Sequence, residues 1–432
     1  MCTHVPGSMP VKAPGKVLLY PRLQAQLPPC SRCAGTLQNL NLLWQGIHIC
    51  VEAVCRSCCA HLVADLPMGH ATCFPYMVDL ERGKVHGPGA FMEWLGEPFL
   101  NSLVHPDLKQ VSTLRVECRR PANHVVILNC LDYLYGHALL KLLNAELHQA
   151  GPGHPDLVVV VPECLAWMAP SWAAEVWTVG GPLKNQRNYI PALSRDLESQ
   201  LRRFESVELS PAAPHPGAFD ISRFTGIASY SESSSGDRVT FIWREDRFWN
   251  GVWGRSRALR ILRPKTLLLV LQNQAVQRLF EALRRSYPRG QFTVLGLGRS
   301  TEFPPWIDDQ RVEAFTPAIE KAYCRTYAQS RLVIGVHGSN LLLPSGHAGA
   351  TLDLMPDERW GNLTEDILYQ EQDPRLAAWR YRFVSAALGP LEVARLAVEQ
   401  MRGLGIHRRL YGERTNAGMS LGSASAALPG ND

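Results

Sequence analysis

Long apolar runs are missing from this chain. None reaches the ~18 residues that a membrane-crossing helix needs, so no membrane span is expected. The opening stretch MCTHVPGSMPVKAPGK has no apolar core of the kind a secretory leader carries, and the expected compartment is the cytoplasm. A strong charge of one sign is missing too. The formal net charge is +5 over 432 residues, too little to mark the whole molecule as a polyanion binder. No tandem repeat recurs at a fixed short period. What remains is the composition of a soluble globular protein, with 46% apolar and 19% charged residues. The length exceeds what one ordinary core accommodates, which predicts two large domains and a smaller element.

The texture changes along the chain. Residues 1–28 are rich in proline and basic residues and are expected to be irregular, as is the tail 413–432. Residues 29–105 carry paired cysteines and many glycines and read as a small β-rich module. From 106 to 225 the pattern is that of an α/β domain. HVVILN (124–129) and DLVVVVP (156–162) are strands buried on both faces, with the helical spacing of YGHALLKLLNAELHQA between them. Pro, Ser and Gly clusters between 209 and 238 predict an interdomain connection. A second alternating series fills 238–400. Strands are expected at 238–243, 291–298, 331–338 and 350–356, and helices at 267–286 and 317–330. Two tandem parallel-sheet α/β domains follow from this alternation.

Twelve cysteines in a long chain without an export signal point to metal binding or buried thiols rather than a disulfide framework. CSRC (Cys30, Cys33) and CRSC (Cys55, Cys58) form two C-x2-C pairs with 21 residues between them. That is close to the roughly 15–20 of such zinc sites. Two tight turns, each presenting two thiolates, can close a tetrahedral shell with no open position, so the zinc expected here is structural. Four unmetallated thiols are the alternative. Cys50, Cys59, His48 and His61 lie near enough in sequence to replace a ligand.

VIGVHGSNLLLPSG (333–346) passes from a buried strand into a His-Gly-Ser-Asn turn and then into an apolar helix. Ligands of open α/β sheets bind beyond the carboxyl ends of the strands. Gly338 would admit a ligand close to the backbone, Ser339 or Asn340 could cap the following helix, and its free N–H groups would favour a phosphate. His337 could donate to a phosphate oxygen or a leaving group. A plain capped turn with a packed histidine is the alternative. The first strand of the same domain ends in FIWREDRFW, with Arg244 and Arg247 on the same predicted edge. Six Arg and one Lys face two acidic residues between 244 and 265. An arginine fork matches phosphate oxygens. GLGRS (296–300) ends another strand there, with Gly298, Arg299 and Ser300 available. Together these features suggest a diphosphate site.

GVHGSNLLLPSGHAGATLDLMP resembles the C-terminal signature of the family 61 glycosyltransferases: a His-Gly turn, small residues, an apolar helix, a Pro/Gly bend, and an acidic residue before Pro in the next strand. The matching positions are His337, Gly338, Ser339, Asn340, Pro344, Gly346, Asp353 and Pro356. Ser339-Asn340 stand where the family often has Ala-Gly, and Asp353 where Glu is commoner. DYLYGHALLKLLNA looks like the family's N-terminal motif, which would put Asp132, Tyr135 and His137 at the cleft. The resemblance covers roughly 122–385. It implies two Rossmann-like domains facing across a cleft, the GT-B architecture: an acceptor domain at 106–225 and a nucleotide-sugar domain at 238–400. It also implies inversion at the anomeric carbon, and a glycan, lipid-linked or protein acceptor. The cysteine module is not part of the pattern.

No Asp-x-Asp pair is placed to hold a divalent metal, so no catalytic metal is expected, and the leaving diphosphate should be met by Arg244, Arg247 and the helix start after His337. His137 is the first choice of general base, with Asp132 and Asp246 next. Asp353 is a candidate for ribose or sugar hydroxyls. Peripheral membrane association is compatible with a lipid-linked acceptor. Two other readings use the same residues. A nucleic-acid-binding protein would use the cysteine ribbon, the 244–265 arginines, and Trp243, Phe248, Trp249 and Trp253 for stacking. The modest net charge argues against it, and nucleic acid is not an expected partner. A transferase fold that has lost activity and serves as a scaffold is the other.

Overall fold

The computed structural model describes residues 17–410, apart from 112, 150, 152, 213–215, 233–235, 250–264, 364, 371–372 and 408–409. The tail 413–432, the residues before 17, Trp253 and the arginines at 255, 257, 260 and 263 therefore lie outside the described residues. The protein is mixed α/β and divides after Gly226 into two units, Met1–Gly226 and Ile227–Asp432.

In the first unit β1 (Val17–Tyr20) precedes an antiparallel meander of β2 (Leu37–Trp44), β3 (Ile49–Cys55), β4 (His61–Asp65), β5 (Met77–Asp79) and β6 (Lys84–His86). β7 (Leu114–Cys118), β8 (His124–Asn129), β9 (Asp156–Pro162), β10 (Glu175–Val179) and β11 (Ser206–Leu209) then join β1 in a second sheet, ordered β1-β11-β8-β9-β10-β7. Its four middle strands are parallel, and β1 and β7 run antiparallel at the edges. The uniform apolar runs of β8 and β9 sit at its centre, where both faces are covered.

Two sequence expectations change here. Residues 17–20 are not irregular: Val17 and Leu19 are buried and the strand pairs with β11. The cysteine-bearing meander is not a separate module either. Trp44, Ile49 and Val51 share one apolar cluster with Val125, Ile127, Val158 and Val160 of the parallel sheet. A meander this short cannot bury enough apolar surface alone and borrows the neighbouring core.

The second unit is built on one sheet of β12 (Arg238–Trp243), β13 (Gln291–Gly296), β14 (Asp308–Asp309), β15 (Ser330–Val336), β16 (Thr351–Met355) and β17 (Tyr381–Ser385). Every pairing is parallel, in the order β14-β13-β12-β15-β16-β17. Counted from β12, that is 3-2-1-4-5-6. The direction of travel across the sheet reverses between β12 and β15, and such a reversal opens a crevice at the carboxyl ends of those two strands. The helix Lys265–Ser286 buries Leu268, Leu269, Gln272, Val276, Leu279, Phe280 and Leu283, the three- and four-residue spacing of one helical face. The helix Pro317–Gln329 starts at a Thr316 cap, whose hydroxyl accepts from the Ile319 N–H, with Pro317 in the first turn. The helix Pro390–His407 buries Val393, Ala397, Met401 and Leu404 in the same core as Leu279 and Phe280.

Candidate functional site

At the reversal point of the second unit, β12 ends in buried Trp243 and the chain turns out through Arg244, Glu245, Asp246 and Arg247. On the neighbouring strand β15 gives way to His337 and Gly338. The Arg244 and Arg247 side chains both donate to the His337 carbonyl, Arg244 at 3.2 Å, and Arg244 also donates to Asn340 Oδ1 at 2.8 Å. Gly338 has φ +144°. A Cβ there would stand 2.6 Å from Arg244 Nη1 and 3.0 Å from Arg247 Nη1, so a side chain would displace both guanidinium groups. Burial, then the charges of Arg244 and Arg359, push the Arg247 pKa below its ordinary value, although it stays protonated. Arg244, Arg247 and Arg359 gather at the mouth of the parallel sheet, where Asp246 and Asp366 also act on Arg247.

The rest of the site is braced. Asp246 takes Arg244 bidentately, at 2.7 and 2.5 Å, and that hydrogen bonding, with the neighbouring arginines, holds its carboxyl below the usual range. Asp246 is therefore committed to Arg244 and poorly suited to take a proton. Glu245 crosses Gly298 and accepts from the Ser300 amide and hydroxyl at 3.1 and 2.8 Å, which fixes the loop after β13. Arg299 in that loop is exposed, as is Ser339. Neither Ser339 nor Asn340 caps a helix as the sequence suggested. The turn after Gly338 is a three-residue 3-10 segment without a side-chain cap, followed by six helical residues, and the Asn340 carbonyl serves Arg244 instead.

Beneath the turn, buried His337 directs Nδ1 to Asp353 Oδ2 at 2.8 Å and lies 3.3 Å from Asp366 Oδ2. The Tyr381 hydroxyl donates to the same Asp353 oxygen at 2.9 Å. Asp353, a candidate for sugar hydroxyls, is fully buried, so its place is under the histidine, which it orients, and not at the surface a donor would reach. Burial, with Asp353 nearby, raises the Asp366 pKa from 3.8 to about 6. The adjacent carboxylates Asp308 and Asp309 are engaged by Arg238 and Arg311.

In the first unit the turn before the helix Tyr135–Leu143 carries Asp132, fully buried, with Oδ1 accepting from the Leu134 amide at 3.1 Å. Lys141, equally buried, reaches Asp132 Oδ2 at 2.9 Å and the Leu131 carbonyl at 2.9 Å. Burial alone would raise the Asp132 pKa, but Lys141, His137 and His70 outweigh it and hold the carboxyl well below its ordinary value. His137 Nδ1 lies 3.7 Å from Asp132 Oδ1, beyond hydrogen-bonding range. A second histidine, absent from the sequence reading, makes the closer contact: His70 Nε2 is 3.1 Å from Asp132 Oδ2. His70 follows β4 in a 3-10 turn, Gly69–Thr72. Gly69, at φ +57°, lets that turn lie against the Lys141 stem. His70, Asp132 and His137 have the ligand types of a metal site, but the Lys141 ammonium already neutralises the carboxylate and repels a cation.

The four cysteines come together in the same unit. Cys30 Sγ is 3.7 Å from Cys58 Sγ, and Cys33 Sγ is 3.5 Å from Cys55 Sγ. A disulfide would need ~2.05 Å, whereas the edges of a tetrahedron with ~2.3 Å metal–sulfur bonds are about 3.8 Å. The two turns are built alike. Cys30 N–H bonds to Gly35 O and Ala34 N–H to Cys30 O, and Cys55 N–H bonds to Ala60 O and Cys59 N–H to Cys55 O. Ala34 and Cys59 both take left-handed φ, at 59° and 56°. The amides of Cys58 and Ser57 lower the Cys55 pKa to about 6 against burial, while hydrogen bonds among the neighbouring thiols raise those of Cys33, to about 12, and Cys58, so the four share protons as one cluster. Arg32 forks onto Asp79 at 2.6 Å and Glu81 at 2.6 Å, tying the first turn to the β5–β6 hairpin.

Trp243 and Trp249, named above as stacking residues for nucleic acid, are buried in the core of the second unit and cannot present a face to a base. No helix among the described residues is long and apolar enough to cross a membrane. Comparison of the chain with known protein families, with curated proteins and with solved structures finds no match.

Proposed function

We propose that the chain is an inverting glycosyltransferase that needs no catalytic metal and moves a sugar from a nucleotide diphosphate to a hydroxyl, as its resemblance to family 61 implies. The observation that carries this reading is the convergence of Arg244 and Arg247 on the His337 carbonyl at the reversal point of a parallel sheet. Two further features support it. The 3-2-1-4-5-6 order of the second unit is that of a Rossmann-like nucleotide domain, and the four parallel strands of the first unit follow the 3-2-1-4 portion of the same order. Tandem Rossmann-like domains are part of the proposal.

On this reading the diphosphate lies against Arg244 and Arg247, which stabilise the negative charge that grows on it as the glycosidic bond breaks. His337, held by Asp353, presents a fixed imidazole beside it. The acceptor is a glycan, a lipid-linked glycan or a protein, and the compartment is the cytoplasm. Cys30, Cys33, Cys55 and Cys58 would hold a structural zinc, which would tie the ends of β2, β3 and β4 together and take no part in the reaction.

Calorimetry with UDP, GDP and their sugar conjugates, in EDTA, tests the donor site. At least one should bind in the micromolar to low millimolar range, and Arg244→Ala should weaken it about tenfold to a hundredfold, the worth of a charge-assisted hydrogen bond. If no nucleotide binds the intact protein, the proposal fails.

A further inference from the structure

The two most exposed large apolar side chains among the described residues stand close together in the chain. Leu108 is 78% exposed and Val111 75%, and both lie just before β7. β7 is an end strand of its sheet, and among the described residues β10 is the only strand it pairs with. The other edge is open. The Arg119 N–H donates to the Ala174 carbonyl and the Gly180 N–H to the Thr113 carbonyl, so the odd-numbered residues from 113 to 119 turn their main-chain groups towards β10. By the same alternation Val116 and Cys118 turn theirs away from the sheet. Natural edges are commonly blunted by a lysine, a proline or a bulge. β7, LRVEC, has none of these, and it matches β10 residue for residue.

The strand is complementary to its own reverse. Alternate side chains go to opposite faces, so Leu114, Val116 and Cys118 share one face and Arg115 and Glu117 the other. A second β7, laid antiparallel along the open edge with Val116 opposite the partner's Val116, sets Arg115 against the partner's Glu117 twice. It also sets Leu114 against the partner's Cys118 twice. Opposite charges then meet across one face and apolar or thiol groups across the other, both favourable cross-strand pairings. The outward main-chain groups of the two central valines exchange two hydrogen bonds. A slip of two residues in either direction would place Arg115 opposite the partner's Arg115, or Glu117 opposite the partner's Glu117, so charge selects one register. Within one chain Arg115 reaches Glu163 at 2.7 Å and Glu117 reaches Arg119 at 2.8 Å. Such largely exposed pairs are worth little and leave both side chains able to re-pair.

We propose that β7 is a docking edge for a second copy of this chain, which adds its own β7 antiparallel about a two-fold axis at Val116 and joins the two six-stranded sheets into one. The partner's chain beyond its β7 then runs towards Val111 and gives the exposed apolar residues before the strand a cover. The contact is one short strand with few apolar groups, which places it among small, reversible interfaces with a Kd of roughly 1–100 µM. It lies wholly on the first unit and takes nothing from the transferase reading.

Sedimentation velocity on the full chain, from about 1 to 200 µM, reads the association. A reversible shift from one chain to two is expected. Val116→Pro removes the N–H that the partner's carbonyl needs and spares the bonds to β10, since proline is accepted where the N–H faces outward, and it should abolish the shift. Arg115→Glu and Glu117→Arg should each weaken the dimer at least about tenfold by setting like charges opposite one another. The double variant, which exchanges the two signs, should recover to within about threefold of the wild type. Amide exchange in the peptide carrying 114–118 should slow at the high concentration alone. A chain that stays monomeric throughout the range overturns the proposal, as does a dimer that keeps its affinity in Val116→Pro and in both single reversals. A double variant weaker than either single one overturns the antiparallel register. No nucleotide enters these measurements, so failure of the donor site leaves them standing.

Discussion

Gly338 is the residue on which the proposed donor site turns, because its missing side chain is what allows two guanidinium groups to meet on one carbonyl. Gly338→Ala combines a disfavoured φ with a clash at 2.6 Å, and should cost about 1–3 kcal/mol of stability and most nucleotide affinity. Thermal melts and calorimetry on the same variant separate the two effects. Asp366 makes a different kind of prediction. Its folded pKa of about 6 lies above the 3.8 of an ordinary carboxyl, so the folded state holds the proton more tightly than the unfolded one. Its contribution to stability is therefore present below about pH 4 and is lost as pH rises through 6. Asp366→Asn should stabilise the protein at pH 7.5 by roughly 1–3 kcal/mol and change little at pH 4. Equal effects at both pH values in denaturant melts would contradict this. His337 and the arginines were legible in the sequence because each follows a strongly apolar strand, whose end is easy to find. His70 was not. It contacts Asp132 across 62 residues, and only the Gly-His pair after a strand hinted at it.

At the scale of the element, the cysteine turns carry the clearest test. Metal analysis of the purified chain by plasma mass spectrometry should return about one zinc per molecule. Cys55→Ser should abolish it and loosen β2–β4, seen as faster amide exchange there, while Cys59→Ser should retain the metal. Zinc-free protein with unaltered exchange would mean four plain thiols. The spacing of the cysteines made this cluster readable in advance, but not its surroundings. The strands found from sequence were those with uniform apolar runs, such as β8, β9, β12 and β15. Those missed are short or polar. β7 is exposed along most of its length, and β10 begins with Glu175, whose burial depends on Arg203 well downstream. A local pattern cannot announce a strand whose burial is arranged by distant partners.

For the whole molecule, the two units each contain their own apolar core, one around Val276, Phe241 and Leu352, the others around Val158, Ile49 and Tyr76. Calorimetric unfolding should therefore resolve into two transitions. A saturating nucleotide should raise only the one that belongs to residues 227–410, by an amount set by its concentration relative to Kd. A single transition that shifts as one would make the units cooperative. The alternation of strands and helices was enough to anticipate two α/β units, whereas the sharing of a core between the cysteine meander and the first parallel sheet was not. That sharing is decided by which apolar faces meet in three dimensions.

Phe91, held at φ +61° just before a turn at Met92–Gly96, leaves this protein exposed to one kind of laboratory change. A phenylalanine in a left-handed conformation is disfavoured by about 1 kcal/mol or more relative to glycine or asparagine, so a screen for heat tolerance should enrich Phe91→Gly or Phe91→Asn. Such clones would survive warming better and also free the turn Met92–Gly96, which sets Trp94 edge-on to His70 and His137 at 5.1 and 5.3 Å. Robustness would then be gained by loosening the packing of that ring on the two imidazoles.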